Sequence, residues 1–175
     1  LFTGTANVNG DIGIIGNSEG RPLNVANFRL APKQGVPRIP VILVFGTAMN
    51  SGKTMTAGSL VRGFATAGIR VAGIKATGTG SGGDLWFMKD MGAARANDFV
   101  DVGLASTYLA PHERIEEGVL CLIDNAASLG CKVAVVEIAD GLQHTETAAL
   151  MKSPKIRDRA CGAVFAAYDA LGAHR

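Results

Sequence analysis

The chain has 175 residues, 47% of them hydrophobic and 18% charged, which is enough for one domain with a real core and far too apolar for intrinsic disorder. Lys and Arg number 17 against 15 Asp and Glu, a formal charge of +2 with no long run of one sign, and aromatics make up only 6%; this argues against a nucleic-acid partner or an anionic membrane surface. The longest apolar runs, such as residues 40–46, fall far short of the ~20 residues of a membrane-spanning helix, so no membrane association is expected.

Residues 11–30 alternate like strands. Ile12-Gly13-Ile14-Ile15 and Leu23-Asn24-Val25-Ala26-Asn27-Phe28 flank the cluster Asn17-Ser18-Glu19-Gly20-Arg21-Pro22, which predicts a small N-terminal β hairpin. Pro32, Pro37 and Pro40 make residues 31–40 an extended linker. The expected organisation is a small β-rich piece at 1–35 and an α/β domain at 36–175.

Val41-Ile42-Leu43-Val44-Phe45 is a continuous apolar run, the pattern of a strand buried on both faces. A glycine-rich turn leads into a helix from Lys53 to about Ala67, with Gly68 as its C′ residue. A strand is predicted at 69–75, a glycine-rich loop at 76–83, and a helix at 84–96 with Asp84 as an N-cap candidate. Phe99-Val100 is a short apolar stretch without an assigned element. Pro111 fits helix position N1, and the helix carrying Ile115, Val119, Leu122, Ile123, Ala126 and Leu129 stops at Gly130. Strands follow at 132–138 and 162–167. Strands alternating with helices of this length predict an α/β fold, a mainly parallel sheet with flanking helices. Such folds continue with more βα units, so further sequence is expected beyond residue 175.

The chemistry concentrates in Gly46-Thr47-Ala48-Met49-Asn50-Ser51-Gly52-Lys53-Thr54, between a buried strand and a helix start, the context that a phosphate-binding loop requires. Glycines let successive backbone N–H groups converge on one point, and the helix N-terminus adds partial positive charge there. Lys53 brings a full charge to the β- and γ-phosphates, and the Thr54 hydroxyl can ligate Mg2+. The candidate nucleotide-binding residues are Gly46, Thr47, Asn50, Ser51, Gly52, Lys53, Thr54 and Met55, with Lys53 expected to be exposed at the helix start. An ordinary glycine-rich strand-to-helix turn is the competing reading.

Five residues lie between Gly46 and Gly52, one more than in the common Walker A pattern. This longer loop, followed by Gly68-Ile69-Arg70-Val71-Ala72-Gly73-Ile74-Lys75, resembles dethiobiotin synthetase and its relatives among P-loop proteins. The same loop, with Lys53-Thr54-Met55-Thr56 and Asp98-Phe99-Val100, also resembles the domain family DUF1611. The resemblance covers residues 41–167, and residues 1–40 match neither family. It implies a P-loop NTPase-type α/β fold, ATP and Mg2+ as cofactors, and a lysine at the place of Lys75 that helps hold substrate and phosphate. After that lysine the dethiobiotin synthetase pattern of Pro and Ala-Ser-Gly is replaced by Ala76-Thr77-Gly78-Thr79, which puts the same substrate in doubt.

Apart from that resemblance, Lys75 ends a predicted strand at the carboxyl edge of the sheet, where open α/β folds bind their ligands. Asp84 ends the loop that starts at Thr77; a carboxylate there suits Mg2+, which prefers oxygen ligands and few protein contacts, or serves as a cap alone. The resemblance adds an Asp in the matching segment of dethiobiotin synthetase. Val133-Ala134-Val135-Val136-Glu137 is a hydrophobic strand ending in an acid, a Walker B-like arrangement in which Glu137 can hold Mg2+ directly or through water. The candidate catalytic residues are therefore Lys53, Lys75 and Glu137, and the candidate metal ligands Thr54, Asp84 and Glu137; Asp140 stays open between function and turn.

His144, Thr145 and Glu146 read as an acid/base cluster or as a solvated helix start capped by Thr145. Pro111-His112 is similar to a Pro-His pair at the substrate helix of dethiobiotin synthetase. His112, His144 and His174 show no metal spacing, and Ser51 and Ser81 lack the base and orienter of a nucleophile. Cys121, Cys131 and Cys161 form no CxxC pair and suit a reducing, cytoplasmic location; the start Leu1-Phe2-Thr3-Gly4 carries no signal-peptide pattern.

The expected function is ATP-dependent, Mg2+-dependent activation of a carboxylate or carbamate group on a small-molecule substrate. The substrate is expected outside the carboxyl ends of the predicted strands, walled by residues 77–84, 103–112 and 140–146. A coenzyme A-dependent N-acyltransferase of an amino acid, as implied by the DUF1611 resemblance, and a nucleotide-binding regulatory module are the alternatives. A homodimer stays open.

Overall fold

The computed structural model describes residues 4–6, 12–14, 16–169 and 172, with side chains from residue 16 onward. The N-terminal hairpin forms one step earlier than the alternation suggests. Strand β1 (Gly4–Ala6) pairs antiparallel with β2 (Ile12–Ile14), Gly4 opposite Ile14 and Ala6 opposite Ile12. The second apolar run is not its partner: Val25–Phe28 is a 3-10 turn. The physical reason is Asn24, whose side chain accepts from Ala26 N–H at 2.9 Å while Asn27 Oδ1 accepts from Asn24 N–H at 2.8 Å. Asparagine draws backbone into such local bonds and away from strand pairing. Asp11, Ile15 and His174 lie outside the described residues.

The main sheet has the order β5-β4-β6-β3-β7 and is parallel throughout. Strand β3 (Val41–Gly46) leads into helix α1 (Lys53–Thr66), β4 (Val71–Lys75) into α2 (Gly83–Asp90), and β5 (Arg95–Asp98) into a 3-10 turn at Phe99–Val102. Helix α3 (His112–Ser128) returns the chain to β6 (Val133–Glu137), and α4 (Thr145–Lys152) and α5 (Pro154–Arg159) return it to β7 (Ala160–Ala166). Every residue of β4 and β6 is buried, as expected of strands covered on both faces. On one face Ala57 and Val61 of α1 and Met88 of α2 pack on Val44, Val71, Val133 and Val135. On the other, Ile115, Val119, Leu122 and Ile123 of α3 pack with Leu150 and Ile156 against Val41, Leu43, Ile74 and Val136. Residues 24–36 join this second face: Leu30 and Val36 pack on its core, and Leu30 N–H donates to Asp101 O at 2.7 Å.

Helix α1 and the strands β3, β4, β6 and β7 form where the apolar pattern puts them, to within about two residues at each end. The helix expected at 84–96 does not reach that far. It ends at Asp90, Gly92 turns left-handed at φ 99°, and Arg95–Asp98 becomes edge strand β5. Its N-cap is Gly82, so Asp84 is not the cap but sits in the first turn. Pro111 takes the N-cap position of α3 rather than N1. Among the described residues, no helix is long and apolar enough to cross a membrane.

Candidate functional site

The site grows from the carboxyl ends of three adjacent strands. Gly46 closes β3 where no side chain fits: a Cβ there would lie 2.4 Å from the Ala166 carbonyl oxygen and 2.4 Å from Ser51 Oγ. The chain then bends through two left-handed residues, Asn50 at φ 61° and Gly52 at φ 94°, and enters α1 without a side-chain cap. Two hydrogen bonds moor the loop: Thr47 N–H donates to Ala166 O (3.1 Å), and Leu142 N–H donates to Gly46 O (3.3 Å). Ser51 Oγ is buried inside the loop with no partner. Met49 and Met55 turn their side chains outward to solvent.

Lys53 is not exposed as expected. Only 5% of its surface is accessible, because Nζ folds back over the loop and donates to Ala48 O at 2.6 Å. Burial pushes its pKa down, and the charges of Glu137, Asp140 and Asp84 work against that push. Next along the helix, Thr54 Oγ1 donates to Glu137 Oε1 at 2.8 Å. Glu137 ends β6 and is 1% exposed, and its Oε2 has no partner. Burial raises its pKa; the Thr54 bond and the Lys75 and Lys53 charges oppose the rise, and Asp84 adds to it.

Lys75 ends β4 directly beside Glu137 in the sheet register, with Asp98 on its other side. Its ammonium is ion-paired with the Asp84 carboxylate. Gly78 covers it: a Cβ at Gly78 would stand 3.1 Å from Lys75 Cε, and the residue runs at φ 123°. The three candidate metal ligands thus divide. Thr54 and Glu137 meet directly, whereas Asp84 faces Lys75. The pair that meets suits Mg2+: a hydroxyl and a carboxylate side by side, with one buried carboxylate oxygen lacking any other partner. Among the described residues, no group of three or more His, Cys, Asp and Glu could hold a metal ion.

A cavity of about 160 Å³ opens beside this cluster, and it draws lining from all three loops at the carboxyl edge. Its lining includes Thr77 and Gly78, Ser106 and Thr107, and Asp140, His144 and Glu146. His144 occupies the N-cap position of α4 that Thr145 was expected to take. His112 turns to its own helix instead, with Nε2 3.9 Å from Glu116. Ser106 and Thr107 lie within the expected wall at 103–112 but carry no motif that would single them out; the hydrogen bonds of their hydroxyls to the Gly78 backbone hold them here.

No family model matches the chain, and no curated protein matches it. Among solved structures the chain is similar to the cell division protein FtsY of Thermotoga maritima, with a TM-score of 0.55 and 17% identity over 86% of this chain and 51% of that one. It is also similar to the signal recognition particle receptor FtsY of Elizabethkingia anophelis, with a TM-score of 0.51 and 16% identity over 81% of this chain and 45% of that one. The fold is that of a P-loop NTPase. At these identities the likeness is one of fold alone, and this chain spans about half the length of the neighbours. The resemblances to dethiobiotin synthetase and to DUF1611 rest on the sequence motifs.

Proposed function

We propose that the chain binds a nucleoside triphosphate with Mg2+ at residues 46–54, and that it uses ATP to activate a carboxylate or carbamate group of a small substrate at the neighbouring sheet edge. The observation that carries this reading is the Thr54–Glu137 hydrogen bond, with Lys53 and Lys75 buried around the same carboxylate. A simple glycine-rich turn has no reason to leave a buried hydroxyl, Ser51 Oγ, and a buried carboxylate oxygen, Glu137 Oε2, without partners beside two buried lysines, since an unpartnered buried polar group costs desolvation that a ligand would offset. Thr54 and Glu137 would hold the Mg2+, which supplies neutralisation of phosphate charge. Lys53 would leave its own loop carbonyl for a phosphate oxygen, and Ser51 would gain a partner. Lys75 would bring its ammonium to the anionic end of the substrate. The reaction available is attack of the substrate oxygen on the γ-phosphorus with cleavage of its bond to the bridging oxygen and departure of ADP; it asks of the protein mainly positioning and charge stabilisation.

The test is a thermal-shift and calorimetric comparison of ATP, GTP and acetyl-coenzyme A, each with and without Mg2+. Stabilisation by ATP that depends on Mg2+ is the expected result. Stabilisation by acetyl-coenzyme A alone, without metal, would replace this reading with the acyltransferase one.

A further inference from the structure

The cavity beside the phosphate loop has a preformed frame. Gly78 N–H donates to Thr107 Oγ1 (2.9 Å), Thr107 N–H donates to Gly78 O (3.0 Å), and Ser106 Oγ donates to the same carbonyl (3.3 Å). The hydroxyls of Thr77 and Thr147 both donate to Ala139 O, at 3.1 and 2.9 Å. Glu146 Oε1 accepts from Leu109 N–H at 2.6 Å and so holds the loop above it. Four of the lining hydroxyls are therefore committed to the walls. The lining contains two carboxylates, Asp140 and Glu146, the imidazole of His144, and no lysine or arginine.

Asp140 links this space to the phosphate loop. It has φ 63°, a conformation that side chains other than those of Asp and Asn adopt only at a cost. The next residue, Gly141, is pressed against the loop, since a Cβ there would lie 2.4 Å from Thr47 O. The Asp140 charge acts on the Lys53 ammonium. The volume, about 160 Å³, matches the roughly 150 Å³ that accommodates a benzene-sized ligand.

We infer that this cavity receives a small cationic head group, an ammonium or amidinium of about six heavy atoms, with Asp140 and Glu146 as its counter-charges. The group belongs to the substrate only if residues 46–54 bind nucleotide as proposed; the preference of the cavity for a cation does not depend on that. An anionic end is disfavoured there, because it would meet two like charges with no basic side chain in the lining.

The experiment is an amide NMR titration of the full chain, without nucleotide, with three probes of one shape: butylammonium, butanol and butyrate. Butylammonium should give saturable shifts at Gly78, Thr107 and residues 140–147, bind roughly tenfold tighter than butanol, and outcompete butyrate altogether. Asp140→Asn keeps a residue that tolerates the left-handed backbone, and Glu146→Gln keeps the oxygen that Leu109 needs. Each should weaken butylammonium about tenfold and leave butanol unchanged. Equal binding of butyrate, shifts confined to other parts of the chain, or an unchanged butylammonium affinity in Asp140→Asn would overturn the assignment. ATP calorimetry on the same protein reads the nucleotide site separately, so either result can fail while the other stands.

Discussion

Thr54 at the start of α1 and Glu137 at the end of β6 share a hydrogen bond of 2.8 Å, although they stand 83 positions apart in the chain. The bond exists because β3 and β6 are adjacent and in parallel register, Val44 beside Glu137, so the helix that follows β3 starts over the end of β6. It satisfies one Glu137 oxygen and leaves the other buried and unpartnered.

Glu137→Gln should separate the metal function proposed for this pair from its structural cost. Mg2+-dependent turnover should fall at least about a hundredfold, the scale for loss of a charged group at a reacting centre, while metal-free nucleotide binding changes little. The variant should also alter pH dependence in a defined direction. Burial raises the Glu137 pKa above its ordinary 4.5, so the native state holds that proton more tightly than the unfolded chain. Its stabilising share is present below 4.5 and is lost as pH rises through the raised value. Urea midpoints measured across that range should be flatter in the variant. A parental slope that persists unchanged in Glu137→Gln would remove Glu137 as its source.

Lys53→Ala should reduce ATP affinity by roughly 10- to 100-fold, the range for loss of a charged hydrogen bond. The fold should survive, because the one bond lost is to Ala48 O, a carbonyl of the same loop. Calorimetry and circular dichroism on the variant check both halves. Wild-type affinity would remove the phosphate-loop assignment.

The parallel core and the strand–loop–helix geometry at residues 46–54 were legible in the sequence because both depend on contiguous residues. The runs 41–45 and 133–136 are apolar without interruption, and a Gly-Lys-Thr triplet beside a helix start has one strong physical use. Edge strand β5 was not legible: Arg95-Ala96-Asn97-Asp98 has neither alternation nor β-branched residues, and it is a strand only because Ala94 N–H is caught by Val71 O and the ladder with β4 follows. The burial of Lys53 and the Lys75–Asp84 pair depend on how a loop folds back, which residue type and spacing do not encode. Helix α4 begins at the helix start read at His144-Thr145-Glu146, but its N-cap is His144 and not Thr145, a one-residue shift that residue type does not encode.

Lys75→Met keeps the stem that Gly78 covers and removes the charge. It should retain ATP binding and lose turnover by about a hundredfold or more if the ammonium stabilises the transferring group. Asp84→Asn tests the tether instead. Freed of its partner, Lys75 should still reach the substrate, so turnover should fall less than in Lys75→Met and Mg2+ affinity should stay near wild type. A large loss of Mg2+ affinity in Asp84→Asn would return Asp84 to the metal.

Glu116 gives the opposite pH signature from Glu137 and lies outside the candidate site. It is 6% exposed on α3, where it accepts from Lys155 Nζ at 2.7 Å and from the hydroxyl of Ser153, the N-cap of α5. These bonds, with the charges of Lys155 and His112, hold its carboxyl below the ordinary 4.5 despite burial. The native state therefore favours the ionised form, and the unfolded chain takes up the proton first. The stabilisation is present above 4.5 and is lost as pH falls through the depressed value. Glu116→Gln should lower stability near neutrality by about 1–3 kcal/mol, because Lys155 and Ser153 lose a charged acceptor. It should also flatten the acid limb of the stability curve and leave ATP affinity unchanged. Urea unfolding across the acid range is the measurement, and an acid limb as steep as that of the parent would show that Glu116 does not link α3 to the α4–α5 junction in the way its hydrogen bonds imply.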